Sequence, residues 1–130
     1  MLAFSLSSQY GMPAYQQLMQ QVKRALLLGM VQVGDQLPTV REVVGTLTLN
    51  PNTVLKAYHE LEMEGIVESR PGAGTFIIQV PSPIAPVLLA RLQRGVQRWL
   101  SEARAEELDD ISIEAIFYDA LHRNSQDQAV

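Results

Sequence analysis

Two helix-start signals stand close together near the middle of the chain, and they restrict what can form between them. The first is Thr39-Val40-Arg41-Glu42. A threonine followed three residues later by a glutamate has capping-box spacing, in which each side chain can satisfy the other's backbone N–H. The second is Asn50-Pro51-Asn52-Thr53. Asparagine is a strong N-cap, because its side-chain oxygen accepts from the free N–H groups of the first turn. Proline suits the first helical position, where its missing N–H is not needed. A helix opened at Thr39 must therefore end before Asn50. Its apolar residues are Val43, Val44 and Leu47, and Gly45 and Thr46 weaken its end. Thr48 to Asn50 leave room only for a tight turn. Two short helices joined in this way are the helix-turn-helix pattern, with the second as candidate recognition helix.

Behind the Asn50 cap, Val54, Ala57, Tyr58 and Leu61 recur at steps of three and four and mark a buried stripe. The other face carries Asn52, Thr53, Lys56 and His59, with Leu55 near its edge. Small hydrogen-bonding side chains in the first turn and a lysine one turn later suit a DNA major groove. Taken alone, the same residues also describe a surface helix with a good cap, and the flanking segments decide between the two. Upstream, Met12-Pro13 opens a long helix whose apolar residues Tyr15, Leu18, Met19, Val22, Ala25, Leu26 and Gly29 keep a helical period. Residues 1–12 are uneven, with Phe4 and Leu6 alternating with Ser5 and Ser7 as in a short edge strand. Val31 to Leu37 form a connection with Gly34-Asp35 as its turn. Downstream, Gly65 ends the recognition helix as a left-handed C-cap. The period then changes to two. Ile66–Ser69 and Thr75–Val80 read as strands, and Arg70-Pro71-Gly72-Ala73-Gly74 as the turn between them. Helix, helix, helix, hairpin is the layout of a winged helix-turn-helix. Gly72 and Gly74 let the tip backbone approach a phosphate or enter a minor groove, with Arg70 supplying charge at its base. A plain hairpin closing a small core is the alternative.

Pro81-Ser82-Pro83 is a stiff, non-helical linker, which divides the chain into residues 1–80 and 81–130. Past Pro86 a second long helix begins. Leu89, Leu92, Val96, Trp99 and Ala103 step by three and four, the seam of a helix that pairs with another. Arg91, Arg94, Arg98 and Arg104 lie off that seam. They read as a solvated face offset by Glu102, Glu106 and Glu107, with a nucleic-acid stripe as the competing reading. Leu108-Asp109-Asp110-Ile111 breaks the helix, and Ser112 can cap a final one. There Ile113, Ile116, Phe117, Ala120 and Leu121 form an amphipathic pattern. Asn124 to Val130 reads as a polar, frayed tail. Two helices with apolar faces cannot bury them in so short a segment. A second copy of the chain is the economical partner, and folding back on the winged-helix domain is the rival. The expected architecture is mainly α with a small β-hairpin: an N-terminal winged helix-turn-helix and a C-terminal two-helix dimerisation tail.

Charge does not announce a partner. The net charge is −4 over 130 residues. Residues 1–80 contribute five basic and six acidic side chains, and residues 81–130 five and eight. DNA binding must therefore rest on where charge is placed, not on its total. No apolar run approaches the ~18 residues of a membrane span. The start, Met1-Leu2-Ala3-Phe4-Ser5, lacks the basic region of a signal peptide. Without cysteine there is no disulfide or thiolate chemistry. These features suit a cytoplasmic protein with no membrane partner, no cofactor and no metal. His59 and His122 fall on separate helices, His122 near a helix end, and no paired carboxylates or nucleophile elbow stand out, so an enzyme is the weakest reading. A winged-helix module that binds protein rather than DNA is the stronger competitor, supported by the acidic balance.

From Pro13 to Ile78 the chain resembles the DNA-binding domain of GntR-family transcription regulators. Four motifs carry the resemblance: Pro13-Ala14-Tyr15-Gln16-Gln17, Gly34-Asp35-Gln36-Leu37-Pro38-Thr39-Val40-Arg41-Glu42, Leu61-Glu62-Met63-Glu64-Gly65-Ile66-Val67 and Gly72-Ala73-Gly74-Thr75-Phe76. Asn50-Pro51-Asn52-Thr53-Val54 with Ala57-Tyr58, and the short tail, resemble the YtrA subfamily, in which two helices mediate homodimerisation. The resemblance implies a homodimeric regulator, a repressor more than an activator, reading an inverted-repeat operator. It implies DNA contacts from Thr39 and Arg41, from Asn50, Asn52 and Thr53, and from the wing at Arg70, Gly72, Ala73 and Gly74. Lys56 joins them from its helical face. Dimerisation would fall to Leu89, Leu92, Val96, Trp99, Ala103, Ile113, Ile116, Phe117 and Leu121. Many members have arginine where Pro51 and Leu55 stand, and a basic residue where Ala73 stands, so the usual base code and the wing contact are altered here. Subfamily members often sit in operons with ABC transporters. Larger members carry an effector domain; here the segment after the linker leaves little volume for an enclosed pocket, and a small-molecule effector would have room between the two chains.

Overall fold

The computed structural model describes residues 2–7 and 11–128, with side chains as far as residue 123. Helix α1 (Ala14–Leu27) starts behind Pro13, whose carbonyl accepts from Gln17 N at 3.1 Å. It ends where Gly29 turns left-handed, at φ +71°, and Met30 N reaches back to Ala25 O at 2.8 Å. Helix α2 (Val40–Leu47) is capped by Thr39, whose Oγ1 accepts from Glu42 N at 3.1 Å. The reciprocal half of a capping box, Glu42 back to Thr39 N, does not appear among the described residues. Thr48 stops α2 in the left-handed region at φ 53°. Helix α3 (Pro51–Met63) has Asn50 as its cap and Pro51 in its first turn. Asn50 Oδ1 accepts from Asn52 N at 2.9 Å. Gly65, at φ +78°, ends it as expected.

Strands β1 (Val67–Arg70) and β2 (Gly74–Ile77) pair antiparallel, Val67 opposite Ile77 and Arg70 opposite Gly74. The turn is therefore only Pro71-Gly72-Ala73, shorter than the sequence suggests, and Arg70 belongs to a strand. The connection after α1 is also more than a loop. Gly34 N donates to Ile77 O at 2.8 Å, Ile77 N to Asp35 O at 2.9 Å, and Leu37 N to Thr75 O at 2.8 Å. A single bridge, Gln36 with Phe76, marks this third edge of the sheet. One residue of pairing leaves no period in a sequence. The expected edge strand at Phe4–Leu6 is absent. Instead the arm lies along α1, tied by two glutamine side chains one helical turn apart. Gln21 bonds Ser5 N and O at 2.9 and 2.6 Å, and Gln17 bonds Ser7 N and O at 2.8 and 2.7 Å. Leu2 and Phe4 settle against the core.

That core joins Leu18, Val22, Ala25 and Leu26 of α1, Val43 of α2, Val54, Ala57, Tyr58 and Leu61 of α3, and Ile66, Val67 and Ile77 around the sheet. Full burial of such a side chain stabilises by roughly 1.5–3 kcal/mol, so the α3 stripe fixes which of its faces is left outside. The chain divides into two compact units, Met1–Ile84 and Ala85–Val130. The second holds α4 (Pro86–Ala105) and α5 (Asp110–Gln128). Its only buried side chains among the described residues are Ala103 and Ile113, beside the turn. Asp109, not Ser112, caps α5: its Oδ1 accepts from Ser112 N at 2.8 Å. Hydrogen bonds from the Ser112 side chain and backbone hold the Asp109 carboxyl below the usual range. The tail expected to fray at Asn124 continues α5 to Gln128, and its last two residues lie outside the description. His122 is consequently inside α5 rather than at its end, with Nδ1 2.7 Å from Tyr118 O.

Candidate nucleic-acid interface

With Val54, Ala57 and Leu61 at zero exposure, α3 presents Asn52, Leu55, Lys56 and His59 outward. Leu55 is 52% exposed, an apolar side chain on an otherwise polar face. The first turn is fixed from both sides: Asn50 caps it, and Thr53 N bonds Asn50 O at 2.9 Å. Asn50 thereby uses its side-chain oxygen on its own helix, leaving only the amide NH2 for an outside group. Thr39 is in the same position, because its hydroxyl oxygen already accepts from Glu42 N. Asn52 is exposed and Thr53 half-buried.

The cations are placed less freely than their spacing implies. Lys56 Nζ lies 4.1 Å from the centre of the Tyr15 ring on α1. Arg70 packs its guanidinium 4.5 Å from the Phe76 ring and pairs with Glu68 at 3.1 Å. Lys23 pairs with Glu64 at 2.8 Å. Arg41, exposed in the first turn of α2, has no ion-pair partner among the described residues. Sequence spacing identified these residues but missed Tyr15 and Phe76 as their supports, since a cation–ring contact between different elements leaves no local pattern.

A shallow depression of about 210 Å³ joins the three elements, lined by Val40 of α2, by Leu55, Tyr58, His59 and Glu62 of α3, and by Ser69 and Thr75 of the hairpin. Glu62 brings a negative charge to its rim, and its Oε2 accepts from Ser69 N at 2.6 Å. Beneath the depression, the Tyr58 hydroxyl donates to Pro38 O, locking α3 to the start of α2. The wing tip is held by Ala73 N to Arg70 O at 2.9 Å and by Gln36 Nε2 to Ala73 O at 3.1 Å. Gly72 and Gly74 have φ of +76° and +126°, and a Cβ on Gly74 would strike the Gln36 amide.

A helix-turn-helix whose second helix turns a polar, capped face outward, flanked by a glycine-tipped hairpin, defines a winged helix-turn-helix protein of the kind that handles DNA. Residues 14–77 match the bacterial regulatory proteins of the gntR family. The chain belongs to the GntR family of transcription regulators, a class of DNA-binding proteins rather than enzymes. It is 52% identical over 65 residues to the HTH-type transcriptional repressor YtrA of Bacillus subtilis, a match covering 50% of this chain and 50% of that protein. With the HTH-type transcriptional regulator Rv1152 of Mycobacterium tuberculosis it shares 38% over 99 residues, 75% of this chain and 82% of the other. YtrA from Sulfolobus acidocaldarius, a GntR-family transcription factor, superposes with a TM-score of 0.52 at 26% identity, covering 75% and 97% of the two chains. The AraR DNA-binding domain in complex with operator ORX1 does so with 0.50 at 25% identity, covering 58% and 92%. Among the described residues no helix is long and apolar enough to cross a membrane, and no cluster of metal-ligating side chains occurs.

Proposed function

We propose that this protein is a homodimeric, sequence-specific repressor that reads an inverted-repeat operator. The observation that carries the reading is α3: a helix sealed to its core on one face and capped so that Asn52 and Thr53 stand in its free first turn. Asn52 hydrogen-bonds an adenine edge, Leu55 touches a thymine methyl, and Thr53 bonds a base or phosphate. Arg41 and Lys56 neutralise phosphates and set register, helped by the side-chain NH2 of Asn50 and the hydroxyl proton of Thr39. The tip offers the backbone N–H of Gly72 rather than charge, Ala73 N being held by Arg70 O, and Arg70 acts from the strand beside it.

Dimerisation is supported by what the second unit leaves uncovered. Leu92, Val96, Ile116, Phe117 and Leu121 are each between 47% and 53% exposed, in a unit with two buried side chains among those described. Leu89 and Trp99 complete the α4 seam, and Ala103 and Ile113 anchor the turn. Repression is supported by the name of the Bacillus relative, and an ABC-transporter operon as target by the resemblance to YtrA-type regulators. Such a regulator works in the cytoplasm, where the chromosome is. An effector, if one acts, binds between the two copies.

Selection of bound duplexes from a random pool tests the reading, with the mass of the protein measured in the same buffer. The expected result is an enriched inverted repeat with half-sites about one helical turn apart, bound by a dimer. A dimer that enriches no sequence and shows no salt-dependent affinity for duplex would assign the domain to protein binding instead.

A further inference from the structure

We propose that the first half of α4 carries a second phosphate-contacting surface, the stripe Arg91, Arg94 and Arg98, which grips duplex DNA backbone in addition to the winged helix. The proposal rests on the DNA-binding reading of α3. At i, i+3 and i+7 the three arginines share one face of the helix, and all three are exposed. By the 3.6-residue turn that face lies on the far side of α4 from the Leu92–Val96–Trp99 seam, so covering the seam with a second copy leaves the stripe open.

The glutamates that might neutralise it do not. Among the described residues the ion pairs are Lys23–Glu64, Glu68–Arg70, Arg104–Asp110 and Asp119–Arg123. The other two arginines of the unit are thus paired, and Arg91, Arg94 and Arg98 are not. From Pro86 to Ser101 the helix contains no carboxylate at all; every acid of this unit follows from Glu102 onward. A protein with net charge −4 thus concentrates three uncompensated guanidiniums within two turns. Guanidinium is the group best suited to phosphate. A membrane surface fits less well, because the apolar face that a lipid-binding helix would bury is here the seam assigned to the second copy.

The test measures affinity of the full chain for a mixed-sequence duplex of about 40 base pairs against salt concentration. Each phosphate contact contributes a slope of about −0.9 in log K against log salt. R91Q/R94Q/R98Q is expected to flatten the slope by ~2–3 per chain. R91K/R94K/R98K should keep it, and R104Q/R123Q should leave it unchanged, with helicity and mass constant throughout. A triple glutamine variant with the wild-type slope overturns the proposal, as does an equal shift in R104Q/R123Q, which would indicate net charge alone. Arg41→Gln monitors the winged helix separately: if it weakens binding while the triple variant does not, the stripe falls and the regulator reading stands. A wild-type chain without affinity for duplex overturns both.

Discussion

Asn50 shows how one side chain can be claimed by its own fold. Its oxygen caps α3, so Asn50→Ala should lower stability by about 1 kcal/mol, read by thermal or urea unfolding. Asn50→Asp keeps the cap oxygen and should restore stability, yet it places a carboxylate beside the phosphates and should weaken DNA binding. If Asp restores both, Asn50 is a cap only. Lys56 depends on Tyr15 in a similar way. A cation on an exposed ring gains about 0.5–1 kcal/mol, so Tyr15→Leu should loosen the amine and weaken binding to all sequences alike, while Tyr15→Phe should not. Equal losses for Leu and Phe would rule out the ring contact as the cause. Tyr58 is buried at 6% exposure, and burial first, then the nearby Glu42 charge, push its pKa well above the ordinary 10. Folded chain therefore holds this proton more tightly than unfolded chain. Its contribution is intact below pH 10 and is lost as pH rises above it. Tyr58→Phe should cost about 0.5–1.5 kcal/mol at neutral pH through the lost bond to Pro38, and should make the alkaline decline less steep.

Among the elements, the wing is the one whose geometry depends on a distant loop. Gly74 sits at φ +126° with the Gln36 side chain where a Cβ would be. Gly74→Ala should displace that side chain and break its bond to Ala73. The expected outcome is faster amide exchange at residues 72–74 and weaker DNA binding, with α1 to α3 still protected; unchanged exchange at the tip would refute the tether. The helices themselves were legible because each carries its own punctuation: Thr39, Asn50 and Gly65 act on backbone groups within one turn. The β1–β2 pairing was legible in outline from its period of two and its glycines. Its register was not, and neither was the third edge at Gln36. The register follows from how tightly the three-residue turn closes, and the third edge depends on hydrogen bonds between segments some forty residues apart, which no local pattern encodes. Ser112 was misjudged as a cap for a local reason: Asp109 opens the helix three residues earlier by accepting from Ser112 N, which places Ser112 inside the first turn.

The molecule taken whole consists of one unit with a core and one with almost none. Ile111 at 78% and Val87 at 82% exposure, with the half-exposed seam of α4, leave the second unit short of the apolar burial that holds two helices in place. Val96→Glu should therefore convert a dimer to a monomer in sedimentation and reduce affinity for an inverted repeat, while the winged-helix domain keeps its unfolding transition. A dimer that survives Val96→Glu would place the seam elsewhere. The sequence by itself determined the order of elements, the caps, the buried stripe of α3 and the family, because those rest on residue types acting over a turn or less. Tertiary structure alone decided which charges are free. Lys56 and Arg70 rest on Tyr15 and Phe76, Arg70 also pairs with Glu68, and Arg41, Arg91, Arg94 and Arg98 have no ion-pair partner among the described residues. A charge is neutralised by whatever the fold brings within a few ångströms, and that neighbour is set by packing across elements.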